Sequence, residues 1–466
     1  MDKNYDISFL DENKINEILE NSKEKSKDKE EIRTIIEKAK KAEGLSPVEA
    51  AALLNINDSE LLKEMFEAAH IVKEKIYGKR IVMFAPLYVS NYCVNSCKYC
   101  GYKHENDDLC RKKLTREELI AEVKALEKLG HKRIALEAGE DPINCSLDYI
   151  LDCIKDIYSI KFDNGNIRRI NVNIAATTVE NYKRLKDAEI GTYILFQESF
   201  HKPTYEEVHL KGPKRNYEYH TTAMFRAREA GIDDVGIGVL YGLYDYKYET
   251  VAMIVYADAL ERITGVGPHT ISVPRLRPAE NVTLENYPHL VSDDDFKKLV
   301  AVLRLAVPYT GLILSTREEA ELRDEIIALG VSQVSSGSCT GVGGYSESAK
   351  NTMQFEVGDN RSPMEMLESL IKSGYIPSYC TACYRQGRTG DRFMEIAKGG
   401  KINVMCEANA LMTLKEFLLD YADENLRKLG DEAILKTLEA MPNEEFKEKI
   451  KGYLKQIENG VRDLRV

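Results

Sequence analysis

The stretch Asn91-Tyr92-Cys93-Val94-Asn95-Ser96-Cys97-Lys98-Tyr99-Cys100-Gly101-Tyr102 spaces three cysteines as C-x3-C-x2-C. Structural zinc sites use C-x2-4-C pairs and close four ligands around the ion. Three thiolates in one loop instead match three irons of a [4Fe–4S] cube and leave the fourth iron open to a small molecule. The bland alternatives are an accidental trio or a zinc knuckle. Spacing, loop position and the aromatic Tyr99 before the last cysteine favour the cube.

Immediately before the cysteines runs an apolar stretch, 81–89, read as a strand, so the trio occupies the first loop after it. From there to about residue 335, short apolar runs alternate with amphipathic helical patterns. Eight such runs stand at 81–89, 133–137, 170–175, 193–197, 235–240, 270–273, 312–315 and 332–335. Helix starts lie between them. Thr115-Arg116-Glu117-Glu118 is a capping box, Ser146 precedes LDYILDCIKDIYSI, and Asp293-Asp294-Asp295 places acid where a helix dipole favours it. Eight β/α units predict a (β/α)8 TIM barrel, whose sites gather at the C-terminal ends of its strands. A doubly wound open sheet is the alternative; it normally has fewer strands, and no G-x-G-x-x-G follows the first strand here.

The remaining chain divides around this core. Residues 1–78 read as a helical extension with a solvated, charged run at 23–41; 79–345 as the barrel; 346–466 as a mostly helical C-terminal domain. With 466 residues the chain has ample length for such a core. Lys+Arg 65 against Asp+Glu 76 leaves a net charge of −11, which argues against nucleic-acid binding by phosphate neutralisation. No apolar run approaches the ~18 residues of a membrane span. The polar, acidic start has no signal-peptide pattern, so the expected location is cytoplasmic. Ten cysteines in such a chain ask for a metal or redox reading rather than a disulfide scaffold. No internal repeat is present.

A second trio follows. Cys380, Cys383 and Cys406 are spaced C-x2-C-x22-C, one ligand short of a structural zinc site unless a distant histidine completes it. A second cubane with an open iron fits better in a chain that already has one. Arg385, Arg388 and Arg392 screen an anionic cluster or ligand, or else form a solvated basic loop. Cys110, Cys145, Cys153 and Cys339 have no spacing partner and read as ordinary thiols.

The C-x3-C-x-aromatic-C pattern resembles the signature of the radical S-adenosylmethionine superfamily. The resemblance implies that Cys93, Cys97 and Cys100 hold a [4Fe–4S] cluster whose open iron chelates S-adenosylmethionine, and that reductive cleavage yields a 5′-deoxyadenosyl radical. Ala138-Gly139-Glu140 looks like the family's small-Gly-Glu motif for the methionine amino group, with Ala138 in place of the commoner glycine. Asn173 looks like the asparagine that touches the cofactor ribose. The two trios together are similar to the hydrogenase-maturase branch of an aromatic-amino-acid lyase group. The matching stretches include FQESFH (196–201), GPHTISVPRLRP (267–278), SSGSCTGVGGY (335–345) and CTACYRQGRTGDRFM (380–394).

That branch implies cleavage of L-tyrosine to p-cresol and dehydroglycine, and conversion of the latter to CO and cyanide at an auxiliary [4Fe–4S] cluster. This cluster carries a labile fifth iron, bridged through a free cysteine. Implied partners are an electron donor and other hydrogenase maturation proteins. His269, at the start of the sixth strand, is the expected labile-iron ligand, with His201 as the rival. Ser315 and Arg317, at the top of the seventh strand, are expected at the substrate carboxylate. Arg275, Arg277 and Arg323 are alternatives, Arg323 being also a candidate for surface pairs with Glu319 or Glu321. Gln197 and Glu198 are expected to line the cavity. The loops carrying Glu140, Gln197, His269 and Arg317 are expected to converge on one face. Two other readings stay open: a tyrosine lyase of the thiamine-synthesis type, which lacks the second trio, and a zinc-stabilised scaffold.

Overall fold

In the computed structural model, which describes residues 5–346, 352–400 and 402–466, eight parallel strands close into a barrel in sequence order. These are β1 (Arg80–Ser90), β2 (Arg133–Ala138), β3 (Arg169–Asn173), β4 (Tyr193–Ile194), β5 (Val235–Gly238), β6 (Thr270–Ser272), β7 (Gly311–Leu314) and β8 (Gln333–Ser335). β1 pairs with β8 on one side and β2 on the other, which closes the ring and rules out the open sheet. Apart from the 11-residue β1 the strands are short, and all are mostly buried, as parallel strands covered on both faces must be. The expected caps form. Thr115 and Glu118 complete a capping box, Ser146 accepts from Tyr149 N, and Ser292 caps the helix whose first turn carries Asp293, Asp294 and Asp295.

One strand lies beyond the eight expected. β9 (Ile376–Ser378) pairs in parallel with Arg80–Val82 of β1. The reason lies in the stagger. β2 meets β1 only from Ala85 onward, so the first turn of β1 would present unpaired N–H and C=O groups on that side. β9 covers this edge and carries the chain directly to Tyr379 and Cys380, at the barrel's N-terminal end.

The N-terminal extension is less solvated than its composition suggests. The charged run breaks at Asp28, which caps a second helix, Lys29–Ala39. In the next helix, Pro47–Leu54, five consecutive residues from Ala50 to Leu54 are fully buried. The helix Ser59–Tyr77 packs against Asp293–Ala306 of the barrel and against the C-terminal helix Ile402–Tyr421. One continuous apolar core runs through all three sequence regions.

Candidate functional site

The cysteine loop at the C-terminal mouth is held from two sides. Ser96 N donates to Lys211 O (3.1 Å) and Lys98 N to Val208 O (2.9 Å), while Cys97 bridges His209. On the other side Val94 N donates to Glu140 O (2.8 Å), and Asn95 Nδ2 to Glu140 Oε2 (2.6 Å). Gly139 is required there, because a Cβ at that position would meet Tyr92 O at 2.3 Å. Tyr99 Oη and His209 Nε2 lie 2.8 Å apart, which locks the aromatic side chain preceding Cys100.

Cys93, Cys97 and Cys100 line one cavity of about 220 Å3, together with Tyr99, Ala138, Gly139, Glu140, Asn173, Glu198, Ser315 and Arg317. Burial pushes the Cys97 thiol far up and Cys100 to about 11, so protonated thiols are the resting state without a cation. N–H groups are aimed at the sulfurs. Tyr102 N lies 3.4 Å and Gln354 Nε2 3.7 Å from Cys100 Sγ, and Asn95 Nδ2 lies 3.8 Å from Cys93 Sγ. Among the described residues no three His, Cys, Asp or Glu side chains are placed to hold a single metal ion. Three thiols around one cavity, two of them with N–H donors on the sulfur, suit a larger polynuclear cation.

The charged groups of the cavity divide into paired and unpaired. Lys214 and Glu198 form an ion pair at 2.7 Å, with Glu198 in a left-handed conformation (φ 69°) that turns its carboxylate into the cavity. Arg317 stacks on Phe355 at 3.4 Å and has no carboxylate within ion-pair distance among the described residues. Glu137, which sequence reasoning passed over, projects from β2 and shares a hydrogen bond with Asn173; burial pushes its pKa up to about 8. The other arginine candidates are committed elsewhere. Arg275 pairs with Glu318 and Asp293, and Arg277 with Glu319. Arg323 makes no surface pair. It is buried against Asp359 and donates to Ser335 O (2.6 Å).

Two expectations fail geometrically. Gln197 does not line the cavity; its Nε2 donates to Thr221 Oγ1 (2.9 Å) in the helix layer. Its neighbours Phe196 and Glu198 face the cavity, so alternation turns Gln197 outward. His269 does not converge with Glu140 and Arg317. It precedes β6, and a residue entering a barrel strand lies at the N-terminal end.

There it meets the second trio. A pocket of about 40 Å3 brings together Cys380, Cys383, Cys406 and His269 with Arg80, Arg133, Arg388, Tyr384 and Phe393. Cys383 and Cys406 share a hydrogen bond, and that contact, with Arg80 and Arg388 nearby, lowers Cys406 to about 7. Burial holds His269 neutral, with Nδ1 3.5 Å from Asp234 Oδ1. A neutral imidazole backed by a carboxylate is the form that ligates metal. Arg80 faces the three cysteines and makes no ion pair among the described residues. Arg133 donates to Tyr384 Oη (2.8 Å) and makes no ion pair among the described residues. Three thiolates and a cubane core carry net negative charge, which suits these guanidinium groups. His201 touches neither pocket. It stacks on Tyr244 at 3.7 Å and lies 3.5 Å from Glu12. Cys110, Cys145, Cys153 and Cys339 line neither pocket.

Comparison with known proteins adds the family context. The Radical SAM superfamily model matches residues 87–255, and the Biotin and Thiamin Synthesis associated domain matches 272–376. Both matches end before Cys380. The chain is 29% identical to 2-iminoacetate synthase of Salmonella typhimurium over 344 residues, 73% of this chain and 89% of that protein. It is similar to a crystal structure of HydG, described as a maturase of the [FeFe]-hydrogenase, with 61% identity, a TM-score of 0.95, and coverage of 98% of this chain and 100% of that one. The HydG structure from Carboxydothermus hydrogenoformans is 44% identical with a TM-score of 0.84, covering 96% of this chain and 99% of that one.

Proposed function

The chain belongs to the HydG family of radical SAM proteins, and we propose that it cleaves L-tyrosine to p-cresol and dehydroglycine and converts the latter to CO and cyanide for an iron–CO–cyanide unit of the hydrogenase. The observation that carries this reading is the pair of cysteine trios at opposite ends of one closed barrel. Dehydroglycine is 2-iminoacetate, the compound in the name of the Salmonella typhimurium relative. That likeness favours tyrosine cleavage as the first half-reaction. A lyase that stopped there would have no use for Cys380, Cys383 and Cys406 around a buried, arginine-lined pocket.

Cys93, Cys97 and Cys100 would hold the first [4Fe–4S] cluster, with Ala138, Gly139 and Glu140 at the amino group of S-adenosylmethionine, and Tyr99 and Asn173 beside it. When bound, these two groups supply a 5′-deoxyadenosyl radical. The cavity walls keep water from it. Arg317 presents a guanidinium with no carboxylate partner among the described residues, and with Ser315 it would take the substrate's carboxylate in bidentate fashion. Glu198, fixed by Lys214, keeps the wall beside them polar.

At the other end Cys380, Cys383 and Cys406 would hold an auxiliary [4Fe–4S] cluster, with His269 and a free cysteine on a labile fifth iron. When bound, that iron accepts CO and cyanide. Asp234 places a carboxylate 3.5 Å from His269 Nδ1, and Arg80 and Arg133 would offset the negative charge. An electron donor and the other hydrogenase maturation proteins are the partners of this reading.

The deciding experiment is anaerobic reconstitution followed by iron, sulfide and zinc analysis, with p-cresol, CO and cyanide quantified after adding tyrosine, S-adenosylmethionine and reductant. About eight irons per chain and all three products are expected. Zinc without sulfide returns the chain to a scaffold. p-Cresol without CO makes it a simple tyrosine lyase.

A further inference from the structure

The C-terminal cavity contains three carboxyl side chains and two cationic ones. Glu198 and Lys214 satisfy each other at 2.7 Å. Glu140 is tied to the cysteine loop through Asn95 at 2.6 Å, which puts it beside the first trio. That leaves Glu137 and Arg317. Glu137 projects from β2, three residues before Glu140, and its polar partner is the Asn173 side chain. Among the described residues it has no ion pair. Arg317 enters from the loop after β7, stacked on Phe355, and likewise has none. The groups facing Glu137 are the Tyr88 and Tyr102 phenols of the β1 side, Asn173 of β3, and Arg317; Arg317 in turn feels Tyr88, Glu198 from the β4 side, Glu318 from its own loop and Cys100 from the cysteine loop.

A guanidinium without an ion pair on a desolvated cavity is costly, and burial beside it raises the Glu137 pKa; a ligand that brings a carboxylate to the first and an ammonium to the second relieves both. An α-amino acid zwitterion does this. Two α-amino acids must be seated here on the function proposed above, S-adenosylmethionine and tyrosine, and two carboxyls, Glu140 and Glu137, are open to their amino groups. We propose that Glu137 binds the α-amino group of the tyrosine substrate while Arg317 holds its carboxylate, and that Glu137 takes one proton from the ammonium before hydrogen-atom removal. In that transfer an N–H bond breaks heterolytically and its electron pair stays on nitrogen as the lone pair. An O–H bond forms on the Glu137 carboxylate, and the ion pair becomes a neutral amine and a neutral acid. The hydrogen atom is then taken from one of the remaining N–H bonds. The proposal rests on the tyrosine-lyase reading. The raised pKa of Glu137 fits a proton acceptor working near neutral pH.

The test compares L-tyrosine with 3-(4-hydroxyphenyl)propanoate, which lacks the amino group, by equilibrium dialysis against cluster-loaded protein with S-adenosylmethionine and no reductant. Wild type is expected to hold tyrosine about 10- to 100-fold more tightly, the range of one hydrogen bond to a charged group. Its tyrosine affinity should rise from pH 6.5 to 8.5, because binding the ammonium needs Glu137 ionised. Glu137→Gln, which keeps the shape, should lose both the preference and the rise, and Glu137→Asp should recover part of each. In turnover Glu137→Gln should keep making 5′-deoxyadenosine while p-cresol falls at least tenfold, less so as pH approaches the amine's own ionisation. Equal binding of the two ligands by wild type overturns the proposal, and that measurement needs no variant to fold. Unchanged preference and p-cresol in Glu137→Gln overturn it as well. A wild type that neither binds nor cleaves tyrosine instead overturns the lyase reading, so the two failures are told apart.

Discussion

At the C-terminal mouth three cysteines come from one loop between β1 and its helix, and they open on a cavity of about 220 Å3. At the N-terminal end Cys380 comes from a loop, Cys383 from the short helix Ala382–Arg385 that follows, and Cys406 from a helix after 22 intervening residues, and they close on about 40 Å3. The first site is local. Its ligands are neighbours in the chain, and the barrel supplies the walls. The second is assembled by docking: β9 covers the free edge of β1, the helix Ile402–Tyr421 brings Cys406, and Arg80, Arg133 and His269 come from the starts of three different strands. Equal ligand sets in unequal volumes imply unequal tasks, a roomy one for organic substrate and cofactor and a tight one for a cluster with small ligands.

The largest effect that bears on this contrast is expected from Cys97→Ala. Loss of one of three ligands removes the first cluster, so 5′-deoxyadenosine should fall at least about 100-fold with the second site's iron retained. Normal nucleoside formation in a fully reconstituted variant breaks the division of labour at its first half. Replacing Cys380 and Cys383 together by Ser is expected to abolish CO while p-cresol persists within several-fold of wild type. An unchanged ratio of CO to p-cresol removes the second site from the reaction. His269→Ala is milder. The cubane ligands stay, and the extra iron should bind roughly tenfold more weakly, read as a partial fall in that ratio and in iron per chain.

Smaller effects sharpen the geometry. Gly139→Ala pushes a methyl to 2.3 Å from Tyr92 O, so the two loops must part. A loss of about 1–3 kcal/mol in stability is expected, with weaker S-adenosylmethionine binding by the same protein. Gln197→Ala should cost about 1 kcal/mol for its bond to Thr221 and leave the KM for tyrosine unchanged. A raised KM there would put Gln197 back in the cavity.

The strand count, the caps at Thr115, Ser146 and Ser292, and the position of the first trio were all legible, because each depends on residues close in sequence. β9 was not. Ile-Pro-Ser carries no strand pattern, and its partner edge exists only because β2 starts late against β1. His269 could be read as a strand start, but which end of the barrel it faces follows from that fact alone; grouping it with Glu140 and Arg317 overlooked that strand starts and strand ends lie apart. Gln197 shows the same lesson at finer grain, since one step along β4's exit changes the face. Arg80 and Arg133 look like ordinary polar residues before apolar runs. Glu137 stood inside an apolar run, and a charged residue that a barrel strand turns inward is a signal that sequence reading can use.

β1 is also a ruler. Its 11 residues run from Arg80, which lines the tight pocket, to Ser90, three residues before Cys93 in the wide one. At about 3.3 Å per residue the strand itself spans at most roughly 33 Å from Arg80 to Ser90, and the tilt of a barrel strand shortens its projection on the axis. On the function proposed, a two-carbon fragment released at one end has to be carried the length of the barrel before the other end can use it. Its escape to solvent then competes with its passage. Leakage, measured as free glyoxylate per p-cresol, becomes a property of the barrel's interior rather than of either cluster.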